Sequence, residues 1–145
     1  MFDIIVQDKV IESLIASFPN SRIVDRRDNP SHGYRAVHII PVILNKPIEI
    51  QVRTALQHKW SEISEKLADL YDPAIKYGGG PQNMQETLLK MSNLISIIEN
   101  LEKTDLSGRT IKDSKEISDD KLREIKIKLE EMLNMIIANF ENRGE

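Results

Sequence analysis

The sequence predicts an α+β fold: a mixed unit of helices and strands to about residue 77, then a two-helix appendage. Three observations predict it. Residues 34–54, YRAVHIIPVILNKPIEIQVRT, hold two runs that alternate as strands do, with Ile48, Ile50 and Val52 on one face and Glu49, Gln51 and Arg53 on the other. YDPAIKYGGGP carries three glycines and two prolines, which no helix can cross. Beyond it, apolar residues step by three and four, the spacing of long amphipathic helices.

The elements follow in order. DKVIESLIASF spaces Val10, Leu14, Ile15 and Phe18 as a helix does, and Pro19-Asn20 stops it. SRIVDRR reads as a short strand, and DNPSHG as a turn ending at Gly33. Strands follow around 34–40 and 47–53, joined by a loop containing Asn45 and Pro47. Thr54 is placed to N-cap a helix through ALQHKWSEISEKLADLY, because its hydroxyl can accept from an orphan amide of the first turn. In the appendage, Met84, Leu88, Met91, Ile95 and Ile98 form one seam, and Leu122, Ile125, Leu129, Met132 and Ile136 another. Second stripes (Leu94, Ile97 and Leu101; Leu133, Ile137 and Phe140) widen both seams. A polar link, KTDLSGRTIKDSKEISDD, separates them and reads as mobile. Two short seams alone bury little, so they pack on the core, on each other or on a second subunit.

Composition narrows the function. At 145 residues the chain can bury one core, and 30% charged against 40% hydrophobic residues suits a soluble globular protein. The absence of cysteine excludes disulfides and thiolate metal sites. No basic n-region precedes an apolar run, and no window approaches the roughly 20 apolar residues of a membrane span, so the expectation is a cytoplasmic protein. Residues 1–80 balance ten Lys/Arg with ten Asp/Glu, while 81–145 carry ten against thirteen, so the net charge of −3 lies in the second part. Arg22, Arg26, Arg27 and Arg35 cluster around only Asp25 and Asp28, which suits either a solvated loop or a phosphate-rich ligand.

Three blocks then stand in register: HGYRAVH, EIQVRT and QHKWSEISEKL. Together they resemble the synthetase domain of the RelA/SpoT family, the alarmone (guanosine tetra- and pentaphosphate) synthetases. The resemblance covers roughly residues 4–77, and the last two helices are similar to the helical extensions of its small members. It implies a nucleotidyltransferase-like mixed sheet flanked by helices, a synthetase unit over 1–80 and an extension over 81–145 for homo-oligomerisation. It also implies GTP/GDP pyrophosphokinase activity: the 3′-hydroxyl of GDP or GTP attacks the β-phosphate of ATP, with Mg2+ offsetting phosphate charge.

The resemblance also assigns roles. Tyr34 corresponds to the tyrosine that stacks on guanine, a task for which a phenol π face suffices. His38 matches a histidine that contacts the guanosine nucleotide. Glu49 matches the glutamate that ligates Mg2+ or accepts the 3′-hydroxyl proton, and a carboxylate can do either. Gln51 and Arg53 share its face, and Arg53 can fork onto phosphate oxygens. Arg35 and His32 complete the expected substrate-binding set. Read without the resemblance, Tyr34 is a core tyrosine, His38 a structural histidine and Glu49–Arg53 a surface ion pair of little energy. Trp60 is a core anchor, and Gln57, His58 and Glu62 support the neighbouring strand. His58 and Glu62 are four apart on one helix face, but no third zinc ligand is evident.

Two departures qualify the match. His32 and Pro30 stand where the family has asparagine and lysine, which leaves open a tRNA 3′ end as acceptor, as in some divergent members. FDIIV reads as the end of a strand whose preceding ATP-gripping loop and Mg2+-binding aspartate are lacking, and Asp3 does not replace that aspartate. The expectation is therefore the acceptor-side, C-terminal portion of a synthetase, with a non-catalytic guanosine-nucleotide-binding module as the alternative.

Overall fold

The computed structural model describes residues 2–106 and 119–142. The chain opens with helix α1, Ile4–Ser17, where a strand end was expected. Local chemistry explains the difference. The Asp3 carboxylate accepts from the backbone N–H groups of Ile5 and Val6, satisfying two donors that a helix start leaves orphaned. Ile4, Gln7 and Ile11 then fall on one buried face, a helical spacing that FDIIV is too short to reveal.

Three strands make the main sheet: β1 (Arg22–Asp25), β2 (Val37–Ile40) and β5 (Ile50–Val52), in the order β1-β2-β5. Both pairings are antiparallel, so the sheet is not mixed as the resemblance implied. The links over 26–36 and 41–49 contain no helix, and a parallel neighbour needs a long crossover. The second link is itself a small hairpin of β3 (Val42–Ile43) and β4 (Lys46–Pro47). Leu44 and Asn45 form its tip, both at positive φ, the pairing that a two-residue hairpin turn favours. Tyr34 precedes β2 in a turn, bridged to Ser31, rather than lying in the strand.

Thr54 caps helix α2, Ala55–Leu70, as expected, and Gln57 returns the bond to the Thr54 N–H to complete a capping box. A 3₁₀ turn, Pro73–Tyr77, fills the break before α3 (Gln82–Leu106) and α4 (Asp119–Glu141). Two cores result. Val37, Ile39 and Val52 pack under Ile11 of α1, while Leu56, Trp60 and Ile63 of α2 meet Leu88, Ile95 and Ile98 of α3 and Leu129 and Leu133 of α4.

The α3 seam is therefore consumed by the core, and the α4 seam in part, with Ile136 packed beside Leu133 and Ile137 of the second stripe. Leu122, Leu129 and Leu133 are buried, whereas Met132 is 60% exposed and Ile125 is exposed too. Helix α4 lies against α2 as well as α3, so its inward stripe follows the wider 3.6-residue period rather than a two-helix heptad. The Phe140 side chain and most of the polar link lie outside the described residues.

Candidate functional site

The register of β2 against β5 places His38 opposite Gln51. Around that pair, five of the expected residues meet. His38 Nδ1 lies 2.7 Å from Glu49 Oε1, and Tyr34 Oη lies 2.9 Å from His38 Nε2. Arg53 Nη2 donates to Tyr34 Oη at 3.1 Å and also to Gln51 Oε1. Gln51 Nε2 donates to Glu49 Oε1 at 3.0 Å, closing the group. The arginine also stands over the tyrosine, with Cζ 5.2 Å from the ring centroid.

Electrostatics fixes the protons. Burial lowers the His38 pKa from its ordinary 6.5, and the positive charges of Arg53 and Arg26 act in the same direction against the pull of Glu49. The imidazole is neutral at pH 7. A carboxylate 2.7 Å from Nδ1 favours the tautomer with its hydrogen there, leaving Nε2 to accept from the Tyr34 hydroxyl. Glu49 Oε1 thus takes both internal contacts, and Oε2 has no hydrogen-bond partner among the described residues. Arg53 Nε is the opposite case: it is buried and has no acceptor.

The surroundings hold this group from behind. Gly33 has φ +90, and a Cβ there would meet Trp60 Cζ2 at 2.8 Å, so only glycine lets the turn sit on the indole. The Gly33 carbonyl accepts from Ser92 Oγ at 2.6 Å, and Trp60 Nε1 donates to the Leu88 carbonyl at 2.8 Å. Tyr34 is carried into place next to the Trp60 ring, at 6.5 Å between centroids. Beneath β5, Gln7 Nε2 donates to the Val52 carbonyl and to Gln57 Oε1, both at 2.9 Å. Gln57 Nε2 and Thr54 Oγ1 in turn donate to the buried Glu99 carboxylate. Trp60 and Gln57 therefore serve as the anchor and support that their positions suggested.

Arg35 and His32 do not join the group. Arg35 turns away, donating from Nε to Ser92 Oγ at 2.9 Å and from Nη1 to the Arg27 carbonyl. It lines a cleft with Arg27, Asp28, Ser96, Glu99, Asn100 and Lys103. The physical reason is local: Tyr34 closes the turn bridged to Ser31, and the next residue, Arg35, is held on the α3 side by Ser92 and by the Arg27 carbonyl. His32, at φ 53, packs over Gly78, whose added Cβ would lie 2.3 Å from Nδ1. Within the arginine cluster, Arg27 is neutralised by Asp25 at 2.7 Å and by Asp8. His58 and Glu62 stand 3.9 Å apart on the surface. Arg26, whose charge acts on His38, was not assigned to this site by the sequence, and the buried Gln7 and Glu99 were not singled out at all. Arg26 was legible only as one member of a basic run, and nothing marked the other two.

The arrangement offers a carboxylate with one open oxygen, a cation with spare donors and an aromatic ring. Among the described residues no three His, Cys, Asp or Glu side chains group to hold a metal. A single carboxylate still suits Mg2+, which commonly takes one or two protein carboxylates and completes its shell with water and phosphate oxygens. No helix among the described residues is long and apolar enough to cross a membrane.

Comparison with known proteins finds no matching family model. No solved structure matches either. Over 79 residues, 53% of its length, the chain is 35% identical to an uncharacterized protein of Mycobacterium bovis. The same identity and extent hold for uncharacterized proteins from two strains of Mycobacterium tuberculosis. The match covers 29% of those relatives, so the chain spans well under half of their length.

Proposed function

We propose that the Tyr34–His38–Glu49–Gln51–Arg53 group is the acceptor side of a RelA/SpoT-type pyrophosphokinase site, on a nucleotidyltransferase-like fold. One observation carries the reading. Five residues that the motif resemblance assigns to one site, from two separate blocks, share a single hydrogen-bonded cluster.

In this reading the guanine of GDP or GTP stacks on Tyr34, and Arg53 takes phosphate oxygens. The 3′-hydroxyl gives its proton to Glu49 Oε2 as its oxygen bonds to the β-phosphorus of ATP. The bond from that phosphorus to the bridging oxygen breaks, and AMP leaves. His38 and Gln51 hold Oε1, so the open oxygen is aimed rather than free to rotate. In the alternative role of Glu49, the same open oxygen would hold Mg2+ together with phosphate oxygens, and the metal would offset the charge of the polyphosphate. Self-association through α3 and α4 belongs to the same proposal, supported by exposed Leu94, Ile97, Met132 and Met135. A monomer in sedimentation at high concentration would remove that part.

The test is to incubate the chain with Mg2+ and γ-labelled ATP, offering GDP, GTP or tRNA as acceptor. Labelled guanosine tetra- or pentaphosphate that Glu49→Gln abolishes is the expected result. Label on tRNA alone would reassign the acceptor. GDP binding without product would leave a nucleotide-binding module.

A further inference from the structure

We propose that Arg53 makes this site discriminate a phosphorylated guanosine nucleotide from the bare nucleoside, by covering the Tyr34 ring until a phosphate draws its guanidinium away. The inference rests on the stacking role proposed for Tyr34.

Three neighbours surround that ring. His38 meets it edge-on, with centroids 5.7 Å apart and planes at 74°. Trp60 is tilted at 52°. Arg53 stands over it as a cation, at a distance where the attraction to the π face is substantial. Two of the three are fixed. Trp60 is buried and tied to the Leu88 carbonyl, and His38 sits in the central strand between Tyr34 and Glu49. Only Arg53 has a long stem that can swing aside without moving the backbone.

Its hydrogen bonding shows that the present position is a compromise. A guanidinium has five N–H donors in a rigid fork. Here Nη2 serves both the Tyr34 hydroxyl and Gln51, while Nε is buried with no acceptor. Among the described residues no carboxylate lies within ion-pair distance of Arg53. A buried donor without a partner raises the energy of this placement. A phosphate beside the stacked base would accept from the unused fork and release the ring together. A nucleoside without phosphate must displace the cation from the ring and gives nothing in return.

The consequence is a crossover that a purely structural arginine would not produce. Removing the guanidinium should uncover the ring for guanosine and delete the phosphate contact for GDP. Binding can be followed by emission from Trp60, the only tryptophan, next to Tyr34. In Arg53→Met, guanosine should bind about fivefold more tightly, the scale of one displaced cation–π contact. GDP should bind at least about tenfold more weakly, the scale of a lost charge-assisted hydrogen bond. Arg53→Lys, which keeps the charge without the fork, should fall between for GDP. In the wild-type chain, exchange of the Arg53 Nε–H with solvent should slow with GDP, which gives it an acceptor, and quicken with guanosine, which only displaces it, a readout independent of the variants' folding. Weakening of both ligands in Arg53→Met, or the same change in Nε–H exchange with both, would overturn the proposal while leaving the nucleotide site standing. Absence of any saturable binding by the wild type would instead overturn the site itself, and this inference with it.

Discussion

His38 Nδ1 stands 2.7 Å from Glu49 Oε1, yet the imidazole is held neutral, because burial and the charges of Arg53 and Arg26 outweigh the carboxylate. The contact is therefore an aimed polar pair and not an ion pair at pH 7. It fixes the tautomer, orients the carboxylate and leaves Tyr34 as donor to Nε2.

That neutrality has a measurable sign. The unfolded imidazole protonates near 6.5, whereas the folded one resists until lower pH. The stability that the neutral ring contributes is fully present above 6.5 and is lost as pH falls through the folded value. Urea unfolding at neutral pH and at about pH 5 should show a smaller acid loss in His38→Gln than in the wild type. An unchanged acid loss would mean that His38 is not the group held neutral.

Glu99 has the opposite sign. Its carboxyl is buried, and burial raises its pKa above 4.5, with Glu102 adding to the effect. Stability from this group is present below 4.5 and is lost as pH rises through the folded value. Glu99→Gln keeps an acceptor for Thr54 and Gln57 and removes the ionisation. The variant should match or exceed the wild type at neutral pH, with a flatter stability profile above pH 4.5. Destabilisation equal to that of Glu99→Ala would show that the negative charge itself is needed.

Gly33→Ala tests the turn that delivers Tyr34. The new Cβ would sit at φ +90 and 2.8 Å from the Trp60 ring. A loss of about 1–3 kcal/mol in unfolding free energy is expected, with a shifted Trp60 emission maximum. Wild-type stability would mean that the turn relaxes freely and does not constrain the tyrosine.

The side of α4 that faces inward can be read from two adjacent residues. Leu133 is 1% exposed and Met132 60%. Leu133→Ala should cost about 2–5 kcal/mol, and Met132→Ala within about 0.5 kcal/mol of nothing, by chemical denaturation. Equal costs would restore the heptad seam.

These elements differ in how legible they were. The strand pair, the Thr54 cap and the α3 seam were readable because each rests on a local rule, whether alternation, a hydroxyl before a helix, or a three-four step. The start of α1 was misread because FDIIV spans little more than one helical turn, so Asp3 as a cap is visible only with Gln7 and Ile11 in place. In α4, Leu122, Leu129 and Ile136 of the seam pack with Leu133 and Ile137 of the second stripe, and only Ile125 and Met132 fall outside, because α2, a helix distant in sequence, decides which side is covered. Within the site, Glu49, Gln51 and Arg53 follow from strand periodicity, His38 joins them through pairing, and Tyr34 through the turn that precedes β2. Arg35 points away from the group because motif membership says nothing of side-chain direction, and Glu99 was missed because it contributes through burial, not pattern.

The central claim is that the residues joined by His38 and Glu49 form a guanosine-nucleotide site, and titration of GDP tests it most directly. Trp60 emission should report saturable GDP binding by the wild-type chain, and Tyr34→Ala should abolish it while the far-ultraviolet circular dichroism stays unchanged. No saturable binding by the wild type, or GDP binding unaltered in Tyr34→Ala, would contradict the account.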